Sequence, residues 1–221
     1  MIQDPPPGFL GLRSDIPICT YRRNLPHWRQ TGATYFVTFR LGDSIPPEKA
    51  EVLRFLRNEL SVDRDGEPDL NQQDQIRRIV SAQERWLDQG YGKCLFQNRA
   101  MREIATDALR FFDKHRYDLV SYVVMPNHIH AILKPFDLEG HTLEKVLQSW
   151  KRHTSREINK LRNEEGPIWH GESYDRIIRD LEHLRRCIDY IGRNPAKAGR
   201  SDARCPRWIR SDWEAVGWGF R

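Results

Sequence analysis

The stretch Val-Val-Met-Pro-Asn-His-Ile-His, residues 123–130, is the most informative part of this 221-residue chain. The flanking sequence has the composition of two strands, and Pro126 and Asn127 favour a hairpin turn between them. Side chains alternate between the faces of a strand, so His128 and His130 are expected to point the same way. Two imidazoles on one rigid face suit a divalent-metal site, but a purely structural role within the sheet remains equally open.

Strand and helix patterns follow one another around this stretch. The elements predicted in chain order are a strand at 34–41, helices at 46–60, 72–88 and 99–115, paired strands at 117–124 and 128–134, a helix at 142–163, an extended segment at 168–178 and a helix at 181–193. The last helix is expected to stop near Asn194-Pro195, because a residue before proline avoids the helical conformation. This order predicts an α+β fold in which helices cover an antiparallel sheet.

The chain divides into three predicted regions. Residues 1–25 are a Pro-rich, irregular arm, residues 26–200 form the main domain, and residues 201–221 are a tail rich in Arg and Trp. Within the main domain, residues 61–98 read as an insertion. No run approaches the 18 to 20 apolar residues of a membrane span, and the N-terminus lacks the features of a signal peptide. Four scattered cysteines without a CxxC pair fit reduced thiols, so the cytoplasm is the expected compartment.

Charge is distributed unevenly along the sequence. Residues 145–221 hold 17 lysines and arginines against 11 acidic residues, whereas the first 144 residues have a net charge of −1. A basic half joined to a neutral half suggests a polyanionic partner, although many basic surfaces are simply solvated.

The predicted helix 181–193 supplies further candidates. Tyr190 lies four residues before Asn194, and residues at this spacing share a helix face, so a hydroxyl and an amide oxygen can meet one site together. Two ordinary roles stay open at this point: Tyr190 as a core aromatic and Asn194 as a helix cap before Pro195.

Five blocks of sequence, in order, resemble the REP-associated tyrosine transposases, relatives of the single-tyrosine HUH transposases of the IS200-like kind. The resemblance covers about residues 30–200, and the proposed insertion at 61–98 departs from the shortest members of that family. The matching blocks are Phe36-Val37-Thr38-Phe39, residues 124–130, Ser149-Trp150-Lys151, Trp169 with residues 174–179, and residues 190–199.

The resemblance implies a ferredoxin-like antiparallel sheet with the HUH motif on a central strand. It implies that His128 and His130 bind a divalent cation, Mg²⁺ or Mn²⁺, with Asn194 as the candidate third ligand. The implied nucleophile is Tyr190, which would form a 5′-phosphotyrosine link and leave a free 3′-OH. Tyr174 also lies in a matched block and is the rival, but only Tyr190 shares a helix face with Asn194.

The implied partner is single-stranded DNA folded into short palindromic hairpins, and the protein is expected to be a monomer or a homodimer. Phosphate contacts are expected from basic side chains near the implied site, and tryptophans among them are candidates for base stacking, with core packing as the alternative. The basic candidates are Lys151, Arg152, Arg156, Arg176, Arg179 and Arg186; the tryptophans are Trp150, Trp169, Trp208 and Trp213.

Two other functions remain open from the sequence. One is a metal-dependent nuclease that uses water, whose product is free DNA ends without a covalent protein adduct. The other is a catalytically silent hairpin-binding regulator of the same fold, which would bind hairpins equally well after loss of His128.

Overall fold

A computed structural model of the chain describes residues 4–22, 26–58, 70–137 and 141–221. It contains a small two-stranded sheet and a five-stranded antiparallel sheet with the strand order β6-β3-β5-β4-β7. The strands are β1 (Cys19–Arg22), β2 (Pro26–Arg29), β3 (Tyr35–Arg40), β4 (Tyr117–Val124), β5 (His128–Pro135), β6 (Tyr174–Ile177) and β7 (Arg207–Ile209). Because β5 is the central strand of the larger sheet, the predicted α+β fold with the histidine pair on a central strand is confirmed.

The hairpin between β4 and β5 holds the histidine pair at the end of the sheet. The Met125 amide donates to the His128 carbonyl at 2.9 Å, and the Leu41 amide donates to the Asn127 carbonyl at 2.9 Å. Asn127 is fully buried at this turn. The predicted hairpin is therefore confirmed, and its loop is tied to the end of the neighbouring strand β3.

Helices cover both faces of the sheet. One face packs against α3 and α4, and the other packs against α5 and α6. The six helices are α1 (Pro47–Asn58), α2 (Leu70–Asp88), α3 (Arg99–Phe111), α4 (Leu143–Arg162), α5 (Leu181–Lys197) and α6 (Ser211–Ala215). Among the described residues, none of these helices has the length and apolar character needed to span a bilayer.

The strand register decides which face receives the histidines. In β3, Phe36 packs on the α5 side, whereas Val37 and Phe39 pack on the α3 and α4 side. Thr38 and Arg40 alternate with Val37 and Phe39, so they point to the α5 side. His130 pairs with Thr38 and His128 pairs with Arg40, so both imidazoles project towards α5.

Helix α5 is longer than predicted. The expected stop near Asn194-Pro195 is wrong, because the helix runs to Lys197 with Pro195 inside it. Proline removes one backbone donor, but the last turn closes through Ala198 and Arg200, whose amides donate to the Asn194 and Pro195 carbonyls. Asn194 is therefore a fully buried residue within the helix rather than a cap.

Helices α1 and α2 pack on each other through a small apolar cluster that includes Leu53 and Ile79. The helical spacing of Val52, Leu53 and Phe55 predicts that these side chains face inward. This is confirmed only in part, because Leu53 is buried but Val52 is 48% and Phe55 is 61% exposed. The polar sequence of residues 63–69 predicts a turn, which lies outside the described residues. Of the predicted insertion at 61–98, the structure describes α2 and the connection to α3, and the insertion itself stays a prediction.

The two ends of the chain lie against each other on the body. The indole N–H groups of Trp213 and Trp218 donate to the Pro7 and Asp4 carbonyls at 2.9 and 2.8 Å. In the region predicted as an irregular arm, β1 is a strand, and in the tail β7 adds an edge strand beside β4. The boundaries of the three predicted regions stay predictions.

Candidate active site

The hydrogen bonds of His128 and His130 leave both Nε2 atoms directed towards α5. His128 Nδ1 lies 2.8 Å from Asn127 Oδ1, and the Asn127 amide group donates to the Tyr91 carbonyl, which fixes its orientation. His130 Nδ1 lies 2.7 Å from Thr38 Oγ1. In this arrangement the Nδ1 atom of His128 carries the proton, and its Nε2 lone pair is available.

Burial makes both imidazoles neutral. His128 is 1% exposed and His130 is fully buried. Loss of solvation, reinforced by the nearby charge of Lys197, lowers the pKa of His128 to about 3. Burial also lowers the pKa of His130 well below its ordinary value. The neutral form is the one that donates a lone pair to a metal ion.

Tyr190 and Asn194 of α5 lie over this pair. The Tyr190 hydroxyl is 3.5 Å from His130 Nε2, and the two rings meet edge to face with their centroids 5.0 Å apart. Asn194 is completely buried, with its side-chain amide next to the Tyr190 hydroxyl. No described residue meets hydrogen-bond geometry with either polar atom of this amide. The structure thus brings together the four predicted site residues His128, His130, Tyr190 and Asn194.

The Tyr190 hydroxyl is held in its protonated form. Burial, together with the carboxylates of Glu84 and Asp88, raises the pKa of Tyr190 above its ordinary value of 10. A phenol with a raised pKa is a poor nucleophile until its proton is removed. Any reaction at this oxygen therefore needs a proton acceptor in the site.

The rival tyrosine, Tyr174, has different surroundings. It pairs with Thr38 in the sheet, packs against the apolar cluster of α1 and α2, and lies near Arg176 and Glu84. Within the described part of the chain, Tyr174 makes no hydrogen bond to either histidine. Of the two tyrosines, Tyr190 is the one whose hydroxyl lies within 3.5 Å of His130 Nε2.

A cleft of about 670 Å³ runs along Tyr190 between α2, β6 and α5. Three of the predicted DNA-binding residues, Arg176, Arg179 and Arg186, line it, and Arg77 of α2 adds a further cation. The Arg176 guanidinium lies 5.0 Å from the Phe36 ring, and its Nε is buried without a hydrogen-bond partner. This basic cleft, whose lining also includes Glu84, Asp175 and Asp180, leads to the tyrosine.

The other three predicted DNA-binding residues lie elsewhere. Lys151, Arg152 and Arg156 are on α4, whose packing face contacts the opposite side of the sheet. Lys151 Nζ donates to the carbonyl of His170 at 2.9 Å, and Arg156 Nε donates to Glu157 at 2.9 Å. The structure does not bring this group together with the cleft.

Most of the tryptophans considered for base stacking are core residues. Trp150, Trp169 and Trp213 are 2%, 6% and 1% exposed, so the core-packing alternative holds for these three. Trp208 is partly exposed and stacks on Tyr122.

Three residues near Tyr190 were missed in the sequence. Glu84 and Asp88 lie one turn apart on α2, and Lys197 lies at the end of α5. Lys197 Nζ is 5.6 Å from the centre of the Tyr190 ring and 2.7 Å from Asp88 Oδ2. The spacing of the two acidic residues was visible, but nothing in the sequence indicated that α2 packs beside α5.

The residues present fit a divalent cation in part. No group of three histidine, cysteine, aspartate or glutamate side chains in the described ranges is placed to hold a metal ion. A metal would therefore rely on His128, His130 and Asn194, an amide that such a group does not include. The buried, unpartnered polar atoms of His128 and Asn194 fit this role, because buried polar groups normally have a partner.

Comparison with known proteins places these observations in context. No protein-family model matches the chain. A curated Haemophilus influenzae protein named as a REP-associated tyrosine transposase is 25% identical over 95 residues. The match covers 39% of this chain and 54% of that protein, so the chain spans about half the length of the curated relative.

Two solved structures are also similar. One is described as the REP-associated tyrosine transposase bound to a REP hairpin; it has a TM-score of 0.43 and 17% identity, and covers 82% of this chain and 75% of that chain. The other, described as a transposase from Deinococcus radiodurans, has a TM-score of 0.29 and 14% identity over 69% of this chain and 84% of that chain. The curated match confirms the family resemblance: this chain is similar to the REP-associated tyrosine transposases.

Proposed function

We propose that this protein is a transposase that cleaves and rejoins single-stranded DNA at palindromic hairpins, with Tyr190 as its nucleophile. The observation that carries the proposal is the position of the Tyr190 hydroxyl, 3.5 Å from His130 Nε2. Around it, His128 Nε2 and both side-chain polar atoms of Asn194 are buried without a hydrogen-bond partner among the described residues. Such groups cost stability, and a catalytic role or a bound ion is a physical reason to keep them.

His128, His130 and Asn194 are the residues that would hold Mg²⁺ or Mn²⁺. When bound, the cation supplies Lewis-acid stabilisation of the negative charge on the scissile phosphate. The burial of the histidines keeps them neutral and ready to bind, and their Nδ1 contacts with Asn127 and Thr38 fix the ring orientations.

In the proposed reaction the Tyr190 oxygen is the nucleophile. This oxygen attacks the phosphorus, the bond between phosphorus and the 3′-oxygen breaks, and the 3′-oxygen leaves with a proton as a free hydroxyl. The protein is then joined to the 5′-phosphate through Tyr190. Attack of a 3′-hydroxyl on this phosphotyrosine reverses the step and rejoins DNA without ATP.

The basic cleft supports a nucleic-acid substrate. Arg176, Arg179 and Arg186 line its wall beside Tyr190 and can contact successive phosphates. The name of the Haemophilus influenzae relative supports hairpin elements as the target. Within one chain, α5 lies over its own histidine pair, so assembly of the site does not require helix exchange between subunits.

The test is a denaturing gel of the protein after incubation with Mn²⁺ and a pool of single-stranded hairpins with randomised loops and flanks. DNA labelled at its 3′ end should stay on the protein, because the tyrosine joins the 5′-phosphate of the 3′ fragment. DNA labelled at its 5′ end should be released as a shorter strand.

Two tyrosine variants make the assignment specific. Tyr190→Phe should abolish the labelled protein band, and Tyr174→Phe should retain it. The reverse pattern would assign Tyr174 as the nucleophile and contradict the proposal. Cleaved DNA without an adduct, surviving in Tyr190→Phe, would indicate a nuclease that uses water, and hairpin binding without cleavage would indicate a silent regulator.

A further inference from the structure

We propose that Glu84 of α2 accepts the hydroxyl proton of Tyr190 when its oxygen attacks the DNA, which makes Glu84 a further catalytic residue. The inference rests on the proposed function. It concerns a residue outside the blocks that resemble the family, within the segment predicted as an insertion. The proposal thus assigns a chemical role to α2.

Glu84 lies in the wall of the cleft next to Tyr190. Glu84 and Tyr190 line the same cleft, and the Glu84 carboxyl lies beside the Tyr190 hydroxyl. Helix α2 is anchored near this point by the Asp88–Lys197 ion pair of 2.7 Å, which joins it to α5 one turn beyond Glu84 and two turns beyond Tyr190. The anchor keeps the carboxyl and the hydroxyl together.

The other groups around the Tyr190 hydroxyl are unsuited to take its proton. His128 and His130 have their Nδ1 atoms engaged by Asn127 and Thr38, and their Nε2 atoms are the expected metal ligands. An amide such as that of Asn194 is not a base at ordinary pH.

The Tyr190 hydroxyl has two further charged neighbours, Lys197 and Asp88, and each is less suited than Glu84 to accept its proton. The Lys197 ammonium, which lies over the Tyr190 ring, has no lone pair with which to accept a proton. The Asp88 carboxylate is engaged in the ion pair with Lys197. Glu84 makes no such ion pair among the described residues, and it is therefore the carboxylate best placed to act as a base.

The electrostatic surroundings support this role. Burial raises the pKa of Glu84, while the charges of Arg176 and Lys197 oppose the rise and favour the carboxylate. A carboxylate with a raised pKa is a stronger base than an exposed one, because catalysis improves as the acceptor's pKa approaches the working pH. Arg176 also lies in the cleft, so one cation serves both the base and the incoming DNA.

Proton transfer accompanies the attack on phosphorus. The O–H bond of Tyr190 breaks and its proton passes to Glu84, while the oxygen forms the bond to phosphorus. The bond from phosphorus to the 3′-oxygen breaks with its electron pair, and that oxygen takes a proton from water, which leaves hydroxide. In the rejoining step the attacking 3′-hydroxyl gives its proton to hydroxide, and Glu84 returns its proton to the departing Tyr190 oxygen.

The experiment measures the single-turnover rate of adduct formation at saturating 3′-labelled hairpin pool with Mn²⁺, for wild type, Glu84→Gln and Glu84→Asp. Hairpin affinity and thermal unfolding are measured on the same proteins. Asp74→Asn is the matched control, because it removes a carboxylate from the exposed side of the same helix.

Glu84→Gln should lower the rate by about 10²- to 10⁴-fold, the range for a general base, with hairpin affinity within about twofold of wild type. Glu84→Asp should recover part of the rate, and Asp74→Asn should match wild type. A Glu84→Gln rate within about threefold of wild type overturns the inference. An equal loss in both Glu84 variants also overturns it, since it would indicate packing. Absence of any adduct in wild type would instead refute the proposed function.

Discussion

The two faces of the five-stranded sheet differ in how their buried polar atoms are paired. On the face covered by α3 and α4, the Trp150 indole donates to the Tyr117 hydroxyl at 2.9 Å, and the Trp169 indole donates to Thr154 Oγ1 at 2.8 Å. On the face covered by α5, His128 Nε2 and both side-chain polar atoms of Asn194 have no hydrogen-bond partner among the described residues. The buried indoles of the first face are thus hydrogen-bonded, whereas the second face leaves a ring nitrogen and an amide unpaired.

Buried histidines show the same contrast. His27 packs between Asp175 and Glu172, with Nδ1 2.7 Å from Asp175 Oδ1, on the α4 side of the sheet. Although burial opposes it, the hydrogen bond to Asp175 and the nearby carboxylate of Glu172 raise the pKa of His27 to about 9. Among the described residues no carboxylate pairs with His128, and burial lowers its pKa to about 3. One histidine is thus a cation held by carboxylates, and the other is a neutral imidazole.

This difference separates stability from chemistry within one sheet. Satisfied hydrogen bonds and ion pairs contribute to the free energy of folding, whereas unpartnered buried atoms reduce it. Substitutions on the α4 face should therefore lower stability and spare activity per folded molecule. Substitutions at the unpartnered atoms of the α5 face should lower activity and change stability little.

The largest effect is expected for His130→Ala. Removing this imidazole should reduce the rate of adduct formation by at least about 10³-fold, because it removes both a proposed metal ligand and a neighbour of the Tyr190 hydroxyl. The measurement is the 3′-label transfer assay, together with Mn²⁺ binding followed by electron paramagnetic resonance.

The matched control is His27→Gln, a histidine on the other face. It should bind Mn²⁺ and form the adduct like wild type at a temperature where it is folded. A loss of Mn²⁺ binding in His27→Gln, or full activity in His130→Ala, would contradict the division between the faces.

Trp150→Ala should have the next largest effect, on stability. It deletes a nearly fully buried indole and leaves Tyr117 without its donor, which should cost about 3–5 kcal/mol in the free energy of unfolding. Urea unfolding followed by circular dichroism measures this loss. Adduct formation per folded molecule should be unchanged, and a selective loss of activity would show that the α4 face also serves catalysis.

Sequence patterns predicted the central hairpin and the direction of its histidines, because alternation along a strand depends only on local geometry. They also predicted that Tyr190 and Asn194 share a helix face. The continuation of α5 through Pro195 was missed, since burial and the contacts of the following turn outweigh the local preference. The position of Glu84 was missed for a different reason: it depends on how α2 packs on α5, which no local pattern encodes.

A smaller effect is expected from the titration of His27. Its pKa is about 9 in the folded protein against an ordinary value of 6.5, so its contribution to stability is present below about pH 6.5 and is lost as pH rises through 9. The loss should be about 1.5–3 kcal/mol, typical of hydrogen bonds to charged groups. Urea unfolding from pH 6 to pH 10 measures it, and His27→Gln should flatten the decline. An unchanged decline in His27→Gln would place the titrating group elsewhere.

The smallest change in stability is expected for Asn194→Ala, although the residue is fully buried. Losing packed atoms from a core costs stability, but removing an unpartnered buried amide recovers its cost of desolvation, and the two effects oppose each other. The free energy of unfolding should therefore change by less than about 1 kcal/mol, while Mn²⁺ binding weakens. Because the Trp150 and Asn194 side chains are both buried, a comparably large loss in Asn194→Ala would mean that its amide is satisfied in solution. The contrast between the faces would then lie in the histidines alone.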